Sequence, residues 1–111
     1  MSYTVHLIGD AEQDLLEIYE YVARHDSPAK ADRLLDDLER TILKLESMPS
    51  SGHVPPELER VGVFEFREVF FKPYRIIYHV LKSDVYVHGV LDGSRALQDL
   101  LEDRLLRRTP W

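Results

Sequence analysis

One stretch constrains this chain more than any other, the run from Phe64 to Leu97: FEFREVFFKPYRIIYHVLKSDVYVHGVLDGSRAL. It contains three apolar runs in succession, Phe64–Lys72, Tyr74–Leu81 and Val85–Leu91. Lys72-Pro73 separates the first pair, Lys82-Ser83-Asp84 the second, and Asp92-Gly93 ends the series. β-Branched and aromatic residues dominate all three runs, and breaks this short leave no room for a crossover, so the stretch predicts an antiparallel meander. A small sheet of this kind must hide at least one face, and the rest of the chain supplies the cover.

That cover lies upstream. Thr4–Ile8 is a short strand candidate. Asp10 then predicts a helix cap with Gln13 three residues on, a capping box of about 1 kcal/mol. Ala11, Leu15, Ile18, Tyr19 and Val22 recur at helical spacing, with Glu12, Glu17, Glu20 and Arg24 on the wet side. His25-Asp26 is the link, and Ser27-Pro28 opens a second helix with a capping hydroxyl and a proline at its first turn. Ala31, Leu35, Leu38, Ile42 and Leu45 form its stripe. Two amphipathic helices so closely linked predict an antiparallel hairpin, packed against the sheet. Met48 to Pro56 is a proline- and glycine-marked loop. After Ser94, a candidate cap, Ala96, Leu97, Leu100, Leu101 and Leu105 predict a final helix running into Arg107-Arg108. The expected fold class is α+β, a small antiparallel sheet in the order β-α-α-β-β-β-α with the helical hairpin on one face. Its 111 residues predict one domain, 1–111.

Charge narrows the function. The formal net charge is -6, but it is uneven. Asp10–Glu59 holds 13 acidic and 5 basic residues, a net of -8, whereas Arg60–Lys82 holds 5 basic and 2 acidic, a net of +3. A nucleic-acid binder exchanges many cations for phosphate counterions. This chain as a whole carries too few, so direct nucleic-acid binding by the chain alone is not expected and a protein partner is favoured. With no cysteine there is no disulfide, thiolate metal site or catalytic thiol. His6, His25, His53, His79 and His88 show no metal-site spacing, so no metal and no cofactor are expected. No run is long enough to span a bilayer and the N-terminus lacks a signal-peptide pattern, which predicts a cytoplasmic protein with no membrane association.

Alternation sorts the meander into faces. Tyr74, Ile76, Tyr78 and Val80 share one, and Arg75, Ile77, His79 and Leu81 the other. Glu65, Arg67 and Val69 oppose Phe64, Phe66, Glu68 and Phe70. Val85, Val87, Gly89 and Leu91 oppose Tyr86, His88 and Val90. The face left free by the helices is expected to carry a polar or aromatic surface, on which Arg67, Arg75 and Arg95 can grip a phosphate or a partner's carboxylate. Metal-free RNA cleavage needs a base, an acid and a cation, and His79 or His88 with Arg75 and Arg95 supply those types. The same residues also suit plain structural roles: Arg75 paired with Glu65, Glu68 or an acidic helix face, His79 and His88 packed, Tyr74 and Tyr78 as sheet packing. Glu57 and Glu59 serve either as a loop base or as a solvated pair.

Lys72-Pro73-Tyr74-Arg75-Ile76-Ile77-Tyr78, followed by Val90-Leu91-Asp92-Gly93-Ser94-Arg95, resembles the RelE/ParE superfamily of bacterial toxins over nearly the whole chain. The resemblance implies the fold just outlined and the toxin half of a type II toxin–antitoxin pair. In RelE-like nucleases, Arg75 and Arg95 match arginines that act in mRNA cleavage on the ribosome. Two lysines of that branch match Phe66 and Glu68 here, and its C-terminal tyrosine matches Leu101. The chain looks more like the ParE branch, whose members lack those groups and are understood to poison DNA gyrase. It departs from that branch at Asp92, where histidine is frequent, and in a longer helix after Arg95. The implied partners are a cognate antitoxin and DNA gyrase, contacted by Arg67, Tyr74, Arg75, Tyr78 and Arg95. The alternatives are a ribosome-dependent endoribonuclease using Arg75, Arg95, His79 and His88, and a non-toxic antitoxin-binding or co-repressor module.

Overall fold

The computed structural model describes residues 2–93 together with Leu97, Asp103 and Arg104. Strand β1 (Thr4–Leu7) leads into α1 (Gly9–His25) and α2 (Pro28–Leu43), which a 3-10 turn at Lys44–Glu46 extends. A loop and the short helix α3 (Pro56–Glu59) precede β2 (Arg67–Phe71), β3 (Tyr74–Leu81) and β4 (Asp84–Asp92). The α+β class expected from the sequence is present, and the meander β2-β3-β4 is antiparallel. The sheet as a whole is mixed, in the order β1-β4-β3-β2, because β1 pairs with β4 in parallel. The helical hairpin lies between β1 and the meander in the chain and supplies the crossover that a parallel neighbour requires. Among the described residues no helix is long and apolar enough to cross a membrane. Of the final helix expected after Ser94, Leu97, Asp103 and Arg104 are described and helical; the other positions, Arg95 included, lie outside the described residues.

Local chemistry sets the helix ends. Ser27 Oγ accepts the Lys30 N–H at 3.1 Å, with Pro28 at the first position, as the sequence predicts. The start of α1 differs from expectation. Ile8 occupies the cap position without a side-chain bond, and Asp10 falls one residue inside the helix. There Asp10 and Glu12 favour the positive end of the dipole, while Gln13 turns forward to Glu17 at 3.2 Å.

The helix-facing core joins Ala11, Leu15, Leu38, Ile42 and Leu45 to Ile76, Tyr78, Val85, Val87 and Val90. Each of these side chains contributes roughly 1–3 kcal/mol by leaving water, the alanine least. Alternation alone places Val90 with Tyr86 and His88, and the structure corrects that. Ile77 pairs with Gly89 and Tyr78 with Val87, so His88 is an extra residue, a β-bulge. Past the bulge the faces exchange: Val90 joins Val85 and Val87 against the helices, and Leu91 joins Ile77 on the opposite side. That opposite side is not an open polar surface either. Leu58 of α3, Phe66 and Leu97 cover Ile77 and Leu91 in a second apolar cluster, with Val63 packed against it.

Candidate functional site

At the rim of this second cluster three elements bring charge together. Arg75 on β3 donates through Nη1 and Nη2 to Glu57 of α3 at 2.6 and 2.9 Å, and through Nε to Glu68 of β2 at 2.6 Å. Glu68 is 1% exposed and its second oxygen lies 3.1 Å from His53 Nε2. The backbone fixes this arrangement. His53 and Glu68 exchange both N–H···O bonds (3.1 and 2.7 Å), stitching the loop before α3 to the outer edge of β2. The hydrogen bond to Arg75 holds the Glu57 carboxyl down at about 2, and the two carboxylates push the guanidinium still further up. A groove of about 500 Å³ opens beside the cluster, between Pro56, Arg60, Phe70, Lys72 and Pro73.

Further along the same face runs a ladder of rings. His6 stacks on Tyr86 (centroids 5.0 Å apart), Tyr86 on His79 (5.2 Å) and His79 on His88 (4.9 Å). Phe66 meets both His79 and His88 edge-on. His79 Nδ1 and His88 Nε2 are 2.7 Å apart, so one ring donates and the other accepts, which requires at least one neutral imidazole. Burial first, then the neighbouring His79, pushes His88 down to about 4, and burial lowers His79 as well. A general base near neutral pH must meet its substrate; these two histidines are 8% and 4% exposed and are bonded to each other.

A second arginine clamp lies where β1 stops short. Ile8 N–H bonds the Val87 carbonyl, and beyond that point no strand among the described residues lies beside the edge of β4. Asp14 of α1 fills the gap by accepting the Val90 N–H at 2.9 Å. Arg104 grips both Asp14 oxygens at 2.8 Å and donates to the His88 carbonyl at 3.2 Å. Side chains thus satisfy backbone groups of this stretch of β4. Gly89 makes this possible, since a Cβ there would stand 2.6 Å from Arg104 Nη1. The sequence reading did not single out Asp14, Arg104 or His53. Asp14 carried a signal, an acid three residues after Ala11 and four before Ile18, on the apolar stripe itself.

The residues expected to form one recognition surface are divided. Arg75 stands on the α3 side of the sheet. Arg67, paired with Tyr78 across the ladder, lies on the helix side and donates to the Gly52 carbonyl at 2.7 Å. Tyr78 is 0% exposed and so is not presented to a partner. Its hydroxyl donates to the Pro49 carbonyl (2.7 Å) and accepts the Gly52 N–H (3.0 Å), and burial pushes its titration up. Arg67 and Tyr78 therefore pin the Met48–Pro56 loop. No side chain fits at Gly52, where a Cβ would lie 2.5 Å from the Glu68 carbonyl oxygen. Tyr74 is half-buried beside Asp92 and Tyr21, its phenol raised by burial and by both neighbours. Arg95 lies outside the described residues.

A hairpin of helices on a four-stranded mixed sheet, with a doubly clamped arginine at its rim, makes a small α+β domain. A family model, the ParE toxin of the type II toxin–antitoxin system parDE, matches residues 5–97, and the chain belongs to that family of type II toxins. The fold is similar to that in the chromosomal ParDE system of P. aeruginosa: TM-score 0.69, 17% identity, 82% of this chain and 96% of that one. It is also similar to the RelBE2 toxin–antitoxin complex of Mycobacterium tuberculosis (0.61, 16%, covering 83% and 92%). A mutant of the E. coli toxin RelE in the free state aligns at 0.63 and 14%, over 98% of this chain and all of that one. At such identities these are likenesses of fold. No curated protein sequence matches the chain.

Proposed function

We propose that this chain acts as a toxin by binding a protein target, DNA gyrase, rather than by cutting RNA, and that a cognate antitoxin neutralises it by wrapping its surface. The observation that carries this reading is the state of Arg75. In a nuclease the matching arginine must face a phosphate on which charge develops. Here its side chain is 11% exposed and all three guanidinium nitrogens donate to carboxylates already present. Its charge is already matched by Glu57 and Glu68, so this side chain offers an arriving phosphate no free cation. The imidazoles expected to supply acid and base are hydrogen-bonded to each other under Phe66. The name ParDE attached to the P. aeruginosa relative supports the same side of the superfamily and an antitoxin partner. A cytoplasmic site of action follows from that target.

The test is a gyrase supercoiling and DNA-cleavage assay with purified chain, beside an in-vitro translation reaction. Blocked supercoiling with trapped cleaved DNA, and translation untouched, is the expected result. Normal supercoiling with cut mRNA would overturn the reading in favour of a nuclease. Silence in both, with tight antitoxin binding, would make the chain a non-toxic partner.

A further inference from the structure

Two buried histidines stand next to both points at which described residues of the C-terminal segment meet the sheet. His79 of β3 and His88 of β4 face each other with Nδ1 of the first 2.7 Å from Nε2 of the second. His88 is the bulge residue, where the β3–β4 ladder is already interrupted. Phe66 meets both rings edge-on, and with Leu97 it belongs to the apolar cluster over Ile77 and Leu91. Arg104 is tied to the same strand. Its Nη1 donates to the His88 carbonyl at 3.2 Å while both Nη atoms grip Asp14. Leu97 and Arg104 are thus each fastened one step from the histidine pair.

The pair has room for one added proton and no more. When both rings are neutral one donates to the other, and an imidazolium can still donate to a neutral partner. A second proton leaves two donors facing each other at 2.7 Å with no acceptor between them. Among the described residues, charges reach the pair from several elements. Glu65, ahead of β2, favours a proton on His79; Asp10 of α1 favours one on His88, and Arg104 opposes it. Asp14 of α1 anchors Arg104, and His6 of β1 lies beyond Tyr86 in the ring ladder. The first proton therefore settles on His79, beside Glu65, and the second on His88, beside Arg104. We propose that this pair is an acid-operated latch: its second proton parts the rings, unseats Phe66, repels Arg104 and so releases Leu97 and Arg104 from the sheet. Release uncovers Ile77 and Leu91 and deprives the His88 carbonyl of its donor. The helix-facing core stays closed, because Leu38, Ile42, Ile76, Val85 and Val87 carry no titratable group. The latch does not depend on which target the chain binds.

The experiment follows amide hydrogen exchange of the full, isotope-labelled chain by NMR from about pH 7 to 4, corrected for the intrinsic pH dependence of exchange. His88 takes its proton at about 4 in the closed state against 6.5 ordinarily, so between those values the open state binds the extra proton. The opening constant at Leu97 and Arg104 should rise about tenfold for each unit the pH falls in that range, and level off below it. Ile76 and Val85 should open more rarely throughout. The ring nitrogens of His79 and His88 should titrate along the same curve as the opening, and His88→Asn should remove most of the slope. A flat profile in the unsubstituted chain would overturn the proposal, as would one shared opening constant for Leu97, Arg104, Ile76 and Val85. So would an unchanged slope in His88→Asn, which would move the proton uptake to Asp14. Where that variant fails to fold, as its spectrum shows at once, the unsubstituted chain decides alone: opening that does not track the ring titration removes the latch.

Discussion

The two faces of the sheet are both covered, but by different physics. Against the helices, Ile76, Tyr78, Val85, Val87 and Val90 meet Leu15, Leu38, Ile42 and Leu45, and area removed from water stabilises the contact. Under α3 the apolar cluster is small, and buried Glu68, His79 and His88 share the space with Arg75. Polar groups there are tolerated because each has a partner; among the described residues no buried side-chain nitrogen or oxygen lacks one. The first face should therefore respond in proportion to volume, and the second abruptly to the loss of any one partner.

Arg75→Ala gives the largest effect. It leaves Glu68, 1% exposed, without its cation, a loss of about 3–5 kcal/mol in urea unfolding. Arg75→Lys recovers little, because one ammonium cannot fork to Glu57 and fill the Nε bond to Glu68 together. Replacing Arg75, Glu57 and Glu68 together with Met, Gln and Gln should restore most of the loss. If the alanine variant costs under about 1 kcal/mol, the contrast between faces is wrong.

The helix face sets the reference. Leu38, 0% exposed, should cost about 3 kcal/mol as Leu38→Ala and under about 1.5 as Leu38→Met, since a volume-conserving change keeps the packing. A methionine variant as damaging as the alanine one would mean that this face, too, depends on specific partners.

Acid separates the faces more finely. His88 titrates at about 4 in the fold against 6.5 ordinarily, so between those values the unfolded chain binds the extra proton. Stability from this group is complete above pH 6.5 and falls as pH drops toward 4, by roughly 1–3 kcal/mol with His79 adding in the same sense. Glu57, held at about 2 against 4.5, keeps its contribution until pH falls below 4.5 and loses it toward 2. Two limbs are expected in a plot of unfolding free energy against pH. His88→Asn should flatten the upper limb and Glu57→Gln the lower one. A single limb unaffected by either variant would show that neither cluster is linked to folding.

How legible was this in the sequence? The element order, the hairpin stripes and the Ser27 cap were, because each is written within a few residues by period or by capping chemistry. The parallel seat of β1 was not, since nothing in Thr4–Leu7 encodes a pairing with Asp84–Val87, eighty residues away. The bulge at His88 was equally silent, and one inserted residue was enough to move Val90 and Leu91 to opposite faces. At the candidate site the residue types were visible and their relations were not. Pairing of Arg75 with Glu68 was among the structural roles weighed. The second carboxylate, Glu57, comes from a four-residue helix whose proline-rich approach reads only as loop. Tyr78 and Arg67 look like surface chemistry in an alternating strand. Only the folded Met48–Pro56 loop shows that they hold it in place.

The smallest effect is expected outside both faces, at the turn between β3 and β4. Lys82 adopts φ 57, a left-handed conformation in which a Cβ is disfavoured. Lys82→Gly removes that crowding but frees the unfolded chain, and the two nearly offset, so the net change should be about 0.5 kcal/mol or less. Lys82 makes no ion pair or hydrogen bond among the described residues, so no partner is lost with it. The variant thus isolates backbone cost from the packing and pairing that distinguish the two faces. A change well above 1 kcal/mol in either direction would mean that the turn is stabilising the β3–β4 register itself. The bulge at His88, and with it the division of Val90 and Leu91 between the faces, would then depend on the turn rather than on the side chains that pack against them.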